Sequence, residues 1–230
     1  MVAAARLSNP LALAVLVLLF ERPMHPYEMS TTLRERRKEQ SIKLNYGSLY
    51  SVVAALDKHG LIEVQQTVRE GNRPERTVYR LTAAGEAKAH DWLASLISEP
   101  AKEYSQFEAA LSLIGAIEPD EALRLLELRL QSLQIQQRTD DAVRAGIPEG
   151  FPQVFMVEGD YHRSLLDAET AYVRRLIDDI RHERLTGLKQ WRLLHELRAA
   201  GVPAEEIMTR IGAEFGFPTE QIGEAGTTST

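Results

Sequence analysis

The chain has 230 residues, room for one large or two small domains, and its 44% hydrophobic and 26% charged residues are the proportions of an ordinary globular protein. It holds no cysteine, which excludes disulfides, thiolate metal sites and a cysteine nucleophile; the six histidines (His25, His59, His90, His162, His182, His195) show no metal-ligand spacing. The net charge of −6 is unevenly spread, with 11 Lys+Arg against 7 Asp+Glu in residues 22–81 and 16 against 26 elsewhere, so a basic module is carried by an acidic one.

Residues Leu11 to Phe20 are ten apolar residues in a row. That is too short to span a bilayer, and Glu21, Arg22 and Pro23 form no small-residue cleavage site. The segment is expected to be a core helix capped at Ser8 or Asn9, with Pro10 in its first turn. Apolar on all sides, it should bury more than one face, against a second subunit among other possibilities. A second helix is expected from Pro26 through about Glu39, with Tyr27, Met29 and Leu33 inward. Its basic run, Arg34, Arg36, Arg37 and Lys38, suits either the helix dipole or contact with phosphates.

A third helix is expected to open near Asn45 and run to Lys58 and His59, with Gly60 as its left-handed cap. Leu49, Val52, Val53 and Leu56 recur at helical spacing, which leaves Ser48, Ser51 and Ala55 on the opposite face, flanked by Tyr46 and Tyr50. Such a helix fits the major groove of DNA, and equally an ordinary protein core. Leu61 to Arg69 then alternates with period two, placing Ile62, Val64, Gln66 and Val68 on one side. After a turn at Gly71 and Asn72, Arg76 to Leu81 reads as the returning strand, with Thr77, Tyr79 and Leu81 on one face. Arg69, Arg73 and Arg76 surround the tip. Three helices and a basic-tipped hairpin make a winged helix-turn-helix, in which one helix reads the major groove and the wing meets backbone or minor groove. Thr82 is the expected cap of a fourth helix, to about Ser98.

From Glu103 onward no strand is expected. Phe107, Ala110, Leu111 and Ile114 repeat at helical spacing, and Pro119 opens a long helix whose Leu123, Leu126, Leu130 and Leu133 form a coiled-coil-like seam. A further helix from about Pro152 carries Val157, Tyr161, Leu165, Ala168, Tyr172 and Leu176 along the side expected to meet that seam. The remaining apolar area suits a second copy of the chain, or a monomeric bundle. Two short helices are expected at Leu188–Ala199 and Pro203–Phe215, the second too acidic for phosphate contact. The fold class expected is mainly α with a small β-hairpin wing. Its parts are a winged helix-turn-helix (8–98), an antiparallel helical dimerisation domain (103–185), appended short helices (186–222) and a disordered tail (223–230).

Four separated segments in order, His25-Pro26-Tyr27-Glu28, Gly47-Ser48-Leu49-Tyr50, Leu56 to Ile62 and Val78 to Gly85, closely resemble the PadR family of bacterial transcriptional regulators. The resemblance covers roughly residues 10–98, and the segment Phe107 to Leu113 with the long helices is similar to the family's dimerisation domain. It implies a homodimeric repressor that binds an inverted-repeat operator in double-stranded DNA and is released by a small molecule or another signal. Pro26 stands where many relatives have glycine, and the tail after Gly187 has no match in the family. A subclass of the family binds flat aromatic compounds through an aromatic on the fourth helix. Trp92 lies on that helix about one turn nearer Gly85 than the subclass would place it, and it also reads as a plain core or interface aromatic.

The expected DNA contacts are Asn45, Ser48 and Ser51 at bases, Lys43, Tyr46 and Tyr50 at phosphates, and Arg69, Asn72, Arg73 and Arg76 on the wing. The competing reading is a protein-interaction module on a winged-helix scaffold, which the acidic total charge keeps open. No catalytic triad, phosphate loop or dinucleotide fingerprint appears, so neither an enzyme nor a cofactor is expected. A cytoplasmic protein without membrane attachment is expected.

Overall fold

The computed structural model describes residues 9–68 and 76–215, and of Gln40, Tyr46, Val68 and Phe215 the backbone alone. The chain divides into two compact units at Glu103 and Tyr104. Among the described residues, no helix is long and apolar enough to cross a membrane.

The first unit opens with α1 (Pro10–Glu21), whose start is set by the Asn9 side chain accepting the Leu11 N–H at 3.0 Å. Leu11, Ala12, Leu13, Val15, Leu16, Leu18 and Leu19 are buried around most of the helix circumference, so α1 is the centre of the core. Each fully buried leucine contributes roughly 2 kcal/mol by leaving water. The expectation of burial on more than one face is met within one chain, and only Val17 and Phe20 stay out as large exposed residues of α1.

Helix α2 (Pro26–Glu35) is capped by His25 Nδ1, which accepts the Glu28 N–H at 3.0 Å. It ends four residues earlier than expected. Arg37 adopts φ +55°, and a 3-10 turn (Lys38–Gln40) follows. This break returns the chain so that Ile42 and Leu44 pack against the core, a tertiary gain that helical periodicity does not register. Met29 and Leu33 are buried as expected, but Tyr27 points out, 57% exposed, and Ser30 takes an inward place.

Helix α3 (Tyr46–Lys58) ends at Gly60, whose φ of +67° lies in the left-handed region that glycine occupies at little cost. The hairpin β1 (Ile62–Val68) and β2 (Arg76–Leu81) is antiparallel, with Ile62 opposite Leu81 and Val64 opposite Tyr79. A bulge between Val64 and Gln66 then shifts the register, so that Gln66 pairs with Val78. Opposed residues share a face of a sheet, so Gln66 lies on the face opposite Val64, not beside it as a strict period of two predicts. Met24 adds a one-residue third strand by exchanging backbone hydrogen bonds with Tyr79.

Helix α4 (Ala83–Ser98) is welded to the base of the hairpin. The Thr82 hydroxyl accepts the Gly85 N–H at 3.0 Å and shares its proton between the carbonyls of Gly60 (2.8 Å) and Leu61 (3.0 Å). Gly85 sits so close that a Cβ there would lie 1.9 Å from the Leu61 carbonyl oxygen. Only glycine fits.

The second unit contains no strand among its described residues. It comprises α5 (Gln106–Ser112), α6 (Pro119–Ala145), α7 (Val157–Arg181), α8 (Leu188–Ala199) and α9 (Ala204–Phe215), with 3-10 turns at Ile114–Ala116 and Gln153–Phe155. Helices α6 and α7 pair antiparallel. Polar rungs link them: Arg181 to Glu127 (2.6 Å), Arg129 to Glu169 (2.7 Å), Gln137 to Asp167 (2.6 Å), Arg163 to Asp141, and Arg144 to Asp160 (2.7 Å). Between them lie Leu126 and Leu133 of the expected seam, with Leu123 and Leu130 half-buried beside them.

The facing stripe of α7 differs from expectation. Leu166, Thr170, Val173, Ile177 and Ile180 are the buried residues, whereas of the expected stripe Val157, Tyr161, Leu165, Ala168 and Tyr172 are exposed and Leu176 alone packs, half-buried, against the core. The helix carries two apolar stripes one residue out of phase. Both obey the helical repeat, and only the fit against α6 selects between them.

Helix α8 belongs to the same core through Leu188 and Trp191. Its Trp191 Nε1–H donates to the Ile117 carbonyl at 2.7 Å, and His195 Nε2 lies 3.0 Å from the Gly115 carbonyl, so one face of α8 holds the α5–α6 connection. The tail expected at 223–230 lies outside the described residues.

Candidate nucleic-acid interface

The surface of α3 separates into two interleaved sets with the same spacing. Leu49, Val52, Val53 and Leu56 are at most 3% exposed and hold the helix to the core. Gly47, Tyr50, Ser51 and Ala54 are all exposed and form the outward face. Ala55, expected on that face, is half-buried, and Ala54 takes its place. Counting the i, i+3, i+4, i+7 pattern from Gly47 instead of Ser48 would have found it.

The start of α3 is fixed by Asn45, whose Oδ1 accepts the Ser48 N–H at 2.7 Å. Ser48 itself is half-buried. One turn on, the exposed Ser51 hydroxyl donates to the Gly47 carbonyl at 2.9 Å. Gly47 needs no special backbone conformation, and a Cβ there would meet nothing nearer than Asn45 Oδ1 at 3.8 Å. The fold therefore does not demand glycine at 47, although glycine inside a helix costs about 1 kcal/mol relative to alanine. A bare backbone at an exposed helix start suits close approach by something outside the chain.

Charge around this face is partly consumed inside the unit. Arg36 is bonded to both oxygens of Glu21 (2.5 and 2.7 Å), which holds the Glu21 carboxyl below its ordinary value and raises Arg36 in turn. Arg22 pairs with Glu28, and Arg80 with Glu63 at 2.6 Å. The basic run at the end of α2 is thus not a single phosphate-facing row. By contrast, Arg37, Lys43, Lys58 and Arg76 are exposed and have no ion-pair partner among the described residues. Tyr79 packs on the core at the hairpin base, where burial and the Asp57 carboxylate raise its phenol above the ordinary value and keep it neutral.

Of the residues expected at DNA, Lys43, Asn45, Ser48, Tyr50 and Ser51 thus gather at the first half of α3, and Tyr46 is its first residue. Arg76 is exposed at the start of β2. Arg69, Asn72 and Arg73 lie outside the described residues. Trp92, the candidate effector contact, is half-buried against the core of the first unit. Among the described residues no group of three or more His, Asp or Glu could hold a metal.

Residues 15–91 match the Transcriptional regulator PadR-like family. No curated protein matches the chain. The crystal structure of Bacillus subtilis PadR in complex with operator DNA is similar at 19% identity and TM-score 0.56, over 75% of this chain and 99% of that one. B. subtilis PadR in complex with p-coumaric acid is similar at 18% identity and TM-score 0.52, over 75% and 95%. A PadR-like transcriptional regulator from Bacillus cereus is similar at 13% identity and TM-score 0.50, over 75% and 99%. At these identities the likeness is one of fold.

Proposed function

We propose that this protein is a PadR-like repressor that binds an inverted-repeat operator in double-stranded DNA as a homodimer, a reading supported by the match of residues 15–91 to the Transcriptional regulator PadR-like family. The observation that carries the proposal is the outward face of α3, where an exposed Gly47 that the fold does not require adjoins Tyr50, Ser51 and Ala54. A helix presenting small side chains seats deeply in the major groove, and exposed Lys43 and Arg76 supply cations for the phosphates on either side. Arg69, Asn72 and Arg73 complete the wing in this reading.

One such helix spans part of a site, so specificity comes from two copies at a fixed spacing. The exposed stripe Val157, Tyr161, Leu165 and Tyr172 on α7 is the surface through which the copies pair. B. subtilis PadR is known in complex with p-coumaric acid; by analogy a small aromatic effector releases this regulator, with Trp92 its candidate contact.

The test is fluorescence anisotropy with the duplex directly upstream of the protein's own coding region, titrated at several salt concentrations. Binding well above that to random duplex is expected. Arg73→Ala and Arg76→Ala should each weaken binding to all sequences and flatten the slope of log affinity against log salt by about one. Equal, salt-insensitive behaviour toward both duplexes would favour the protein-interaction reading instead.

A further inference from the structure

We infer that Ser51 acts on DNA as a hydrogen-bond acceptor only, so that the base it faces carries an exocyclic amino group, adenine or cytosine. The inference rests on α3 being the DNA-reading helix, and it follows from where the one proton of the hydroxyl is. Ser51 Oγ lies 2.9 Å from the Gly47 carbonyl oxygen. That oxygen bears no hydrogen, so the proton between the two belongs to the serine. A serine hydroxyl has one proton and two lone pairs, and lone pairs are what it has left to offer. In the major groove, adenine N6 and cytosine N4 donate, whereas guanine N7 and O6 and thymine O4 accept.

Magnitudes favour this polarity. If the hydroxyl swung out to donate to guanine or thymine, it would exchange the bond to Gly47 for one bond to the base. If it stays and accepts from an amino group, it adds a second bond to the first. Donation to Gly47 also polarises the hydroxyl and makes its oxygen the better acceptor. The difference is about one neutral hydrogen bond, or about fivefold in affinity.

Asn45 has the opposite polarity. Its Oδ1 is taken by the Ser48 N–H at 2.7 Å, which fixes the amide so that the NH2 group is the part left for a partner. The helix start therefore offers donors, which suit phosphate or guanine, and the next turn offers an acceptor.

Two steps test the assignment on the full-length protein. Sites are first selected from a random duplex pool by the wild type and by Ser51→Ala, a substitution on an exposed helix position that favours helix. The wild type should prefer adenine or cytosine at one position per half-site, and the variant should lose preference there alone. That base is then replaced by its analogue lacking the amino group, purine for adenine or 2-pyrimidinone for cytosine. The wild type should lose about fivefold and Ser51→Ala nothing. A Ser51-dependent preference for guanine or thymine overturns the inference, as does an equal loss in both proteins or an unchanged set of preferences in the variant. If neither protein selects any duplex, it is the DNA-binding reading itself that fails.

Discussion

The two units of the chain dispose of their apolar residues in opposite ways. Among the described residues the first unit buries 15 hydrophobic side chains and leaves 8 large ones exposed, whereas the second buries 9 and leaves 14 exposed. The first has a core complete in one chain, built around α1. The second has one filled seam, between α6 and α7 with α8 packed against it, and leaves an apolar stripe of α7 bare. Under the function proposed above, the contrast is a division of labour in which the first unit holds the DNA-facing surface and the second meets another copy of the chain.

The contrast can be broken from either side, and the largest effect is expected in the closed core. Gly85→Ala places a Cβ 1.9 Å from the Leu61 carbonyl. It should destabilise the first unit by about 3 kcal/mol, the scale of overpacking in a filled interior. Hydrogen exchange should rise through residues 9–98 and stay unchanged along α6 and α7; protection lost equally in both would mean the units fold as one.

The next effect in size is expected at the bare stripe of α7. Leu165 is 52% exposed, so Leu165→Asp should leave the circular dichroism and melting of the chain nearly unchanged. It should raise the dimer dissociation constant at least about tenfold, roughly 1.4 kcal/mol, by sedimentation velocity. Unfolding of the variant, or an unaltered dimer, would remove α7 from the interface.

The smallest effect belongs to the surface charge of the first unit. The folded-state pKa of Glu21 is depressed by its bond to Arg36, so its contribution is present above the ordinary carboxylate range and lost as pH falls through the depressed value. Both side chains are more than a third exposed, and solvent screening reduces the contribution to no more than about 0.5 kcal/mol. Glu21→Gln should therefore lower urea stability slightly at neutral pH, with the gap to wild type closing on acidification. A loss several times larger would show that the pair, and not the core, holds α1 to α2.

Much of the fold was legible locally. Asn9 with Pro10, Asn45, Gly60 and Thr82 all mark helix ends in sequence and all do so in the structure, because a cap is satisfied within a few residues. Helix α3 was legible too, through the four residues that anchor it at helical spacing. Its outer face was read one position off at Ala55, since the sequence shows a repeat but not how much of each flank the core covers. The early end of α2 was illegible because the gain that drives it, bringing Ile42 and Leu44 to the core, is not local.

What the sequence by itself determined is the set of elements: a winged helix-turn-helix with its hairpin, followed by paired long helices, each dictated by periodicity and caps acting over one or two turns. Tertiary structure alone decided the choices among equivalent local patterns. The two stripes of α7 have the same period, and packing against α6 buried one and left the other bare. The bulge that turns Gln66 away from Val64 is a property of two strands, absent from either. The proton of Ser51 belongs to the first class, for the Gly47 carbonyl lies one turn earlier on the same helix, 2.9 Å away, and the bond forms with the helix itself.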